Sequence, residues 1–235
     1  QVRGLSFNAG PERELARALY QIEDLEQKSE VVGMGFDSIV IDFMPSTAHR
    51  PYLLYSGRKE TGKNLHLVLE YFGEYKRHFP DSPLEFHIIG AGSIDFVDEL
   101  PPGVVDHGFV SEEEKLQRMR DAVMLVQPST NESFSIVLME SWLMGTPVLV
   151  HGECAVTRDH VLRSGGGLYF TSAKEFIGAV DEVYRNRSLA ERMGEAGAAF
   201  VAREYSWDAV IGRFLGLLRK TGLRSPYVEA IENES

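Results

Sequence analysis

From Pro51 onward, short apolar runs alternate with stretches of helical pattern, and no other feature narrows the fold of this chain as much. The strand-like runs are 52–56 (YLLYS), 84–89 (LEFHII), 104–107 (VVDH), 123–127 (VMLVQ), 147–150 (PVLV) and 167–170 (GLYF). Helical patterns occupy 63–79, 112–121 and 135–144 between them, and 173–186, 189–203 and 207–220 after the last. Short, mostly apolar runs suit strands buried on both faces. Their alternation with helices means βα units, and so an α/β chain with a parallel sheet covered on both faces. Local signals agree. Leu65, Val68, Leu69, Phe72 and Phe79 share one face of the first helix. Ser111 with Glu114 reads as a capping box, and Gly145 followed by Pro147 as a helix stop. Ser188 with Glu191, and Ser206-Trp207-Asp208, read as further caps. Ahead of Pro51, residues 11–28 read as one helix with Leu15, Leu19 and Ile22 on a face, followed by a loosely patterned stretch to about residue 50.

Open parallel sheets bind ligands at the carboxyl ends of their strands, so the loops after the strands are where chemistry is expected. A net charge of −11 argues against nucleic-acid binding through a general basic surface. It leaves room for a small anion held by a few local cations. The single Cys154 excludes an internal disulfide framework and any multi-cysteine metal site, and fits a cytoplasmic protein. No apolar run approaches the roughly 18 residues of a membrane span. The start, QVRGLSFNAG, does not resemble a secretory leader, and its Gln in place of Met reads as a processed or truncated piece.

The loop SGRKETGKN (56–64) has the G-x-x-x-x-G-K spacing of a nucleoside-triphosphate loop, from Gly57 to Lys63. The magnesium-binding Ser or Thr that should follow is Asn64. No downstream strand run ends in Asp, and the one that does, Ile39-Val40-Ile41-Asp42, precedes the loop. Arg58 and Lys63 bracket a helix start, where a guanidinium fork, an ammonium and backbone amides can hold phosphate. A solvated βα turn fits the same residues. Gly90-Ala91-Gly92-Ser93 allows close backbone approach to a ligand, or is a plain turn. In Pro128–Glu140 (PSTNESFSIVLME), Glu132 leaves a strand end and Glu140 follows eight residues later on an apolar helix. A carboxylate there is either a partly exposed helical Glu or an acceptor for a vicinal diol.

These pieces together resemble the retaining glycosyltransferases of group 1 (family 4, GT-B fold). The resemblance rests on Glu132-x7-Glu140 after Pro128-Ser129, with Gly145-Thr146-Pro147-Val148 beyond it. It includes Arg58 and Lys63 in SGRKETGKN, Gly90-Ala91-Gly92, Gly108-Phe109-Val110, GGGLYF at 165–170 and Tyr205-Ser206-Trp207. Gly35-Phe36-Asp37 with Phe43 and Pro45 resembles the family's N-G-V-D…F-x-P stretch. The match runs over roughly 30–218 in the family's order. Two departures stand out. Ser133 and Ser135 replace glycines, and Gly152-Glu153-Cys154-Ala155 through His160 replaces a Gly-Gly…Glu segment. Cys154 and His160 are read as packing or local hydrogen bonding, not as a Cys–His nucleophile pair.

The resemblance implies a Rossmann-like parallel sheet with helices on both faces, one half of a GT-B two-domain enzyme. Residues 1–30 would be a connector from an amino-terminal acceptor domain, 31–220 the donor-binding domain, and 221–235 a tail. It implies transfer of a sugar from a nucleoside-diphosphate sugar, UDP-sugar or GDP-sugar ahead of ADP-sugar, with retention and with no cofactor or metal. It assigns the catalytic positions to Arg58, Lys63 and Glu132. It assigns donor binding to Gly57, Gly92, Val110, Ser133, Phe134, Ser135, Ile136 and Glu140. Arg58 and Lys63 would hold the diphosphate, Glu140 the ribose, Glu132 the transferred sugar, and the amides of Ser135 and Ile136 the β-phosphate. The base would lie near Gly92 and Val110. The partners implied are the donor and the missing amino-terminal domain, with any peripheral membrane contact made through that domain. A GT-B epimerase or phosphorylase, an ATP phosphotransferase and a non-catalytic nucleotide-sugar sensor remain the alternatives.

Overall fold

A computed structural model describes residues 3–22, 24–37, 50–97 and 99–222. Phe43 and Pro45, the run 39–42 and most of the 221–235 tail lie outside the described residues. The chain forms two compact units, one from Gln1–Ser38 with Ala202–Ser235, the other from Ile39–Val201. These units follow packing, whereas the boundaries at 30/31 and 220/221 follow motif order.

The first unit contains β1 (Leu5–Phe7), α1 (Gly10–Tyr20), α2 (Leu25–Lys28) and β2 (Ser29–Val31). The single helix expected over 11–28 is broken, because Gln21 adopts φ 50° and ends α1. From Ser29 the backbone turns extended and pairs in parallel with β1. The face expected to carry Leu15 and Leu19 stays exposed, at 60 and 65 %. Three-residue strands offer too few alternations to be read from sequence, which is why β1 and β2 were not anticipated. Phe36 donates its N–H to the Tyr205 carbonyl at 2.8 Å and bridges Ser206 in parallel. Arg213 donates to the Val32 carbonyl through Nε and Nη2. The two motif fragments Gly35-Phe36-Asp37 and Tyr205-Ser206-Trp207 are therefore neighbours in space.

The second unit runs β3 (Tyr52–Ser56), α3 (Leu65–His78), β4 (Glu85–Ile89), β5 (Val104–Asp106), α4 (Glu112–Asp121), β6 (Met124–Gln127), α5 (Ile136–Leu143), β7 (Val148–His151), α6 (Ala155–Ser164), β8 (Gly167–Phe170), α7 (Ala173–Arg185). Helix α8 (Arg187–Glu204) follows, and α9 (Trp207–Lys220) belongs to the first unit. All six strand runs form one parallel sheet in the order β5-β4-β3-β6-β7-β8. Counted within the sheet this is 3-2-1-4-5-6, the doubly wound order that reverses between its first and fourth strands. On one face Leu53, Tyr55, Phe86, Ile88, Met124, Val126, Leu149 and Phe170 pack with apolar residues of α3 and α7. The alternate residues Leu54, Leu125, Val148 and Val150 are equally buried, with α4, α5 and α6 packed on β3, β6, β7 and β8. Both faces being covered explains why the four central strands, β3, β4, β6 and β7, read as nearly continuous apolar runs.

Three local expectations change. Helix α6 was not anticipated, because its buried positions Val156, Thr157, His160 and Val161 are half polar and hide the apolar period. Helix α8 starts at Arg187 rather than 189, so Ser188 lies inside it, and the Asn186 side chain accepts from the Leu189 N–H instead. Ser111 does accept from the Glu114 N–H, but the Glu114 carboxylate goes to Arg118, leaving the box half made.

Candidate functional site

The strand order places the loops after β3 and β6 on either side of the topological switch point, where a crevice opens at the carboxyl edge. The first loop ends in a turn of 3-10 helix, Thr61–Lys63, and the second carries Glu132. Lys63 Nζ bonds Glu132 Oε1 at 2.7 Å, with side chains 23 and 14 % exposed. Asn64, the residue that departs from the triphosphate loop, sits at φ 55° as the N-cap of α3. Asparagine tolerates this left-handed backbone far better than Ser or Thr. Its Nδ2 donates to the Pro128 carbonyl at 3.4 Å, tying the two loops together. The buried Tyr55 hydroxyl donates to the Arg58 carbonyl at 2.7 Å and braces the turn at Gly57. Burial raises the Tyr55 phenol above its ordinary range, with the Glu132 and Glu60 charges adding to it. That phenol stays protonated and remains a donor.

Arg58 does not converge on Lys63 by direct contact. Its side chain is 72 % exposed and faces Glu60 at 3.3 Å. The neighbouring Lys59 is instead the buried cation, 3 % exposed, bonded to both oxygens of Asp106 at 2.7 and 2.8 Å. Asp106 Oδ1 also accepts from the Gly108 N–H, and the Lys59 N–H donates to the Ala91 carbonyl. Lys59 thus fastens the loops after β3, β4 and β5 to one another. Gly90 and Gly92 are needed for this closeness. A Cβ on Gly90 (φ 130°) would stand 2.0 Å from the Gly57 carbonyl oxygen, and one on Gly92 (φ 105°) 2.9 Å from that of Lys59. Val110, half-buried, follows in the third loop beside the fully exposed Phe109.

On the β6 side, Ser133 and Ile136 are exposed and Phe134 is buried against the His160 ring at 5.2 Å. The Phe134 ring is therefore packed inside and not presented to a ligand. Ser135 caps α5 at φ 70° and ψ 77°, a backbone that favours glycine. Its Oγ is buried with no hydrogen-bond partner among the described residues. Glu140 lies at the fifth position of α5 with its side chain 15 % exposed. Burial raises its pKa, and the hydrogen bond from Lys115 Nζ at 2.9 Å opposes that rise. Burial works against the charge on Lys115, but its bonds to Glu112 and Glu140 leave its pKa raised overall.

Lys115 and the Lys59–Asp106 pair escaped the sequence reading. Lys115 shows there as one Lys in a mostly charged helical stretch, and Lys59 as one of four charges in the loop SGRKETGKN. Cys154 and His160 are both buried, as expected. Desolvation lowers the His160 pKa to about 4 and keeps the ring neutral. Among the described residues, no group of three or more His, Cys, Asp or Glu is placed to hold a metal ion. A groove of about 450 Å³ lined by Pro51, Arg120, Val123, Pro147 and Arg187 lies at the opposite, amino edge of the sheet.

The family model for glycosyl transferases group 1 matches residues 43–200. The chain belongs to that family. It is 29 % identical over 216 residues to the phosphatidyl-myo-inositol mannosyltransferase of Mycobacterium leprae, covering 83 % of this chain and 56 % of the relative. It is also 25 % identical to the human alpha-1,3/1,6-mannosyltransferase, over 86 % of this chain and 54 % of the relative. The chain thus spans about half the length of these curated relatives. In fold it is similar to a glycosyltransferase from Rickettsia africae, with a TM-score of 0.79 and 16 % identity over 94 % of this chain and 64 % of that one. These similarities fit a Rossmann-like sheet of GT-B type. No helix among the described residues is long and apolar enough to cross a membrane.

Proposed function

We propose that this chain is the nucleotide-sugar-binding half of a retaining glycosyltransferase. The observation that carries the reading is the Lys63–Glu132 pair at 2.7 Å across the sheet's switch point, flanked by Glu140 on the helix that leaves it. Lys63, with the turn at Gly57 and the exposed Arg58, supplies positive charge for a diphosphate. In transfer, the nucleoside diphosphate departs with added negative charge, and cations held at that point lower the barrier electrostatically. In this reading Glu132, at the same point, meets the transferred sugar, and Glu140 the ribose hydroxyls. The exposed Ser133 and the main chain of Phe134, Ser135 and Ile136 line the start of α5, where amides favour the β-phosphate. The loops fastened by Lys59 bring Gly92 and Val110 to the edge where a base would lie.

Relatives named as mannosyl- and inositol glycosyltransferases support sugar transfer as the reaction. A structural neighbour, Anabaena Alr3699/HepE, is described in complex with UDP, which supports a nucleoside-diphosphate donor. UDP- and GDP-sugars are the donors proposed, without a cofactor. An amino-terminal acceptor domain completes the enzyme, and any contact with a membrane surface is assigned to it. The test is a thermal-shift screen of this chain against UDP-, GDP- and ADP-sugars, with ATP–magnesium as control. Stabilisation by a sugar nucleotide, lost in Lys63→Ala, is the expected result. Stabilisation by ATP–magnesium alone would overturn the reading in favour of a phosphotransferase.

A further inference from the structure

We propose that Lys115 is a positioning residue for nucleoside recognition, fixing the Glu140 carboxylate so that it accepts from both hydroxyls of a ribose. The inference rests on the reading of Glu140 as the ribose acceptor. Helices α4 and α5 pack against each other, and Lys115 spans them by bonding Glu140 Oε1 at 2.9 Å. Its other partner, Glu112 at 2.7 Å, is 70 % exposed, whereas Glu140 is 15 % exposed. An exposed ion pair is worth little, so Glu140 is the partner whose charge depends on Lys115. An ammonium has three donors and no acceptor. It can hold one carboxylate oxygen without competing for ligand hydroxyl protons.

A protonated Glu140 would become a donor on one oxygen and lose its fit to a diol. Burial pushes Glu140 in that direction, and Lys115 is what opposes it. The charged groups acting on Glu140, Lys115 and Glu112, both come from α4. The strands beneath α5, β6 (MLVQ) and β7 (VLVH), carry no Asp, Glu, Lys or Arg. Their one titratable group, His151, has its pKa lowered by burial and is neutral near pH 7. Neither strand offers a cation to replace Lys115, and on α4 Arg118 is bonded to Glu114 and Arg120 to Asp121.

Calorimetry on this chain with UDP, GDP and free pyrophosphate tests the inference. Lys115→Met keeps the aliphatic length and removes the charge. It should weaken nucleoside-diphosphate binding about tenfold, the scale of one hydrogen bond to a charged group, and leave pyrophosphate binding unchanged. Raising the pH should recover affinity in this variant more than in the unaltered chain, because burial favours the protonated Glu140 and no ammonium opposes it there. Glu140→Gln should be equally weak with no such recovery, the double variant no weaker than Glu140→Gln, and Lys115→Arg close to the unaltered chain. Lys115→Gln carries the same comparison should the Met variant misfold. Unchanged nucleoside-diphosphate binding, an equal loss for pyrophosphate, or a loss just as large in Lys115→Arg would each overturn the inference while leaving the nucleotide site standing. An unaltered chain that binds pyrophosphate but gains nothing from the nucleoside would overturn the ribose reading itself, and this inference with it.

Discussion

Replacing Glu132 by Gln should tighten the binding of a diphosphate while abolishing sugar transfer in the complete enzyme. Lys63 Nζ is bonded to Glu132 Oε1 at 2.7 Å, so an anion that takes up Lys63 must displace that carboxylate. Coulomb's law at an effective dielectric of about 20 puts the pair at roughly 6 kcal/mol before desolvation. Most of that is cancelled by removing both groups from water, and the side chains remain 23 and 14 % exposed. A net value of about 1–2 kcal/mol follows, between an exposed pair and a buried charged hydrogen bond. Glu132→Gln keeps the shape and removes the competing charge, so pyrophosphate should bind about 5- to 30-fold more tightly. The assay is calorimetry with free pyrophosphate, which has no sugar for Glu132 to contact. Glu60→Gln, which removes the same charge beside Arg58, is the control for a general change of field. Because the pair is partly exposed, the gain should shrink as salt rises. Pyrophosphate affinity that stays level or falls in Glu132→Gln, or rises equally in Glu60→Gln, would refute the competition.

Three further outcomes are expected. Lys63→Ala should weaken pyrophosphate and nucleoside diphosphates alike by about 2 kcal/mol, the scale of a hydrogen bond to a charged group; affinity unchanged by calorimetry would remove Lys63 from the phosphate site. Ser135→Gly should stabilise the chain by about 1 kcal/mol in urea denaturation, since it relieves a left-handed backbone costing ~1–2 kcal/mol and loses less to glycine entropy; a loss of more than about 1 kcal/mol would contradict the φ of 70°. Stability should also rise with pH across the window set by His160. Its folded pKa is lowered from 6.5 to about 4, so between those values only the unfolded chain is protonated. The contribution is fully present above pH 6.5 and falls away as pH drops towards 4, by roughly 3 kcal/mol at most. His160→Gln should flatten that slope in denaturation curves taken across the window.

The alternation of apolar runs was enough to place all six strands of the main sheet within two residues: the four central strands are buried and need mostly apolar runs, and the more exposed edge strands β5 and β8 still carry Val104-Val105 and Leu168-Tyr169-Phe170. Pieces with weaker patterns were hidden. The three-residue β1 and β2 are too short to show a period, and the buried His160 and Thr157 break the period of α6. Among the candidate site residues, Glu132, Glu140 and Lys63 stood out because they sit in loops and helix starts after strands, where a parallel sheet gathers its ligand contacts. The partners those residues take were not legible. The sequence by itself determined a parallel α/β sheet, its family and the loops that hold the candidate site, since those follow from local periodicity and short-range motifs. Only the tertiary structure decided that Lys63 meets Glu132, that Lys115 meets Glu140, and that Lys59 rather than Arg58 is the buried cation. Those contacts depend on strand order, which brings residues 69 and 25 positions apart to hydrogen-bonding distance, and no local pattern encodes a separation of that size.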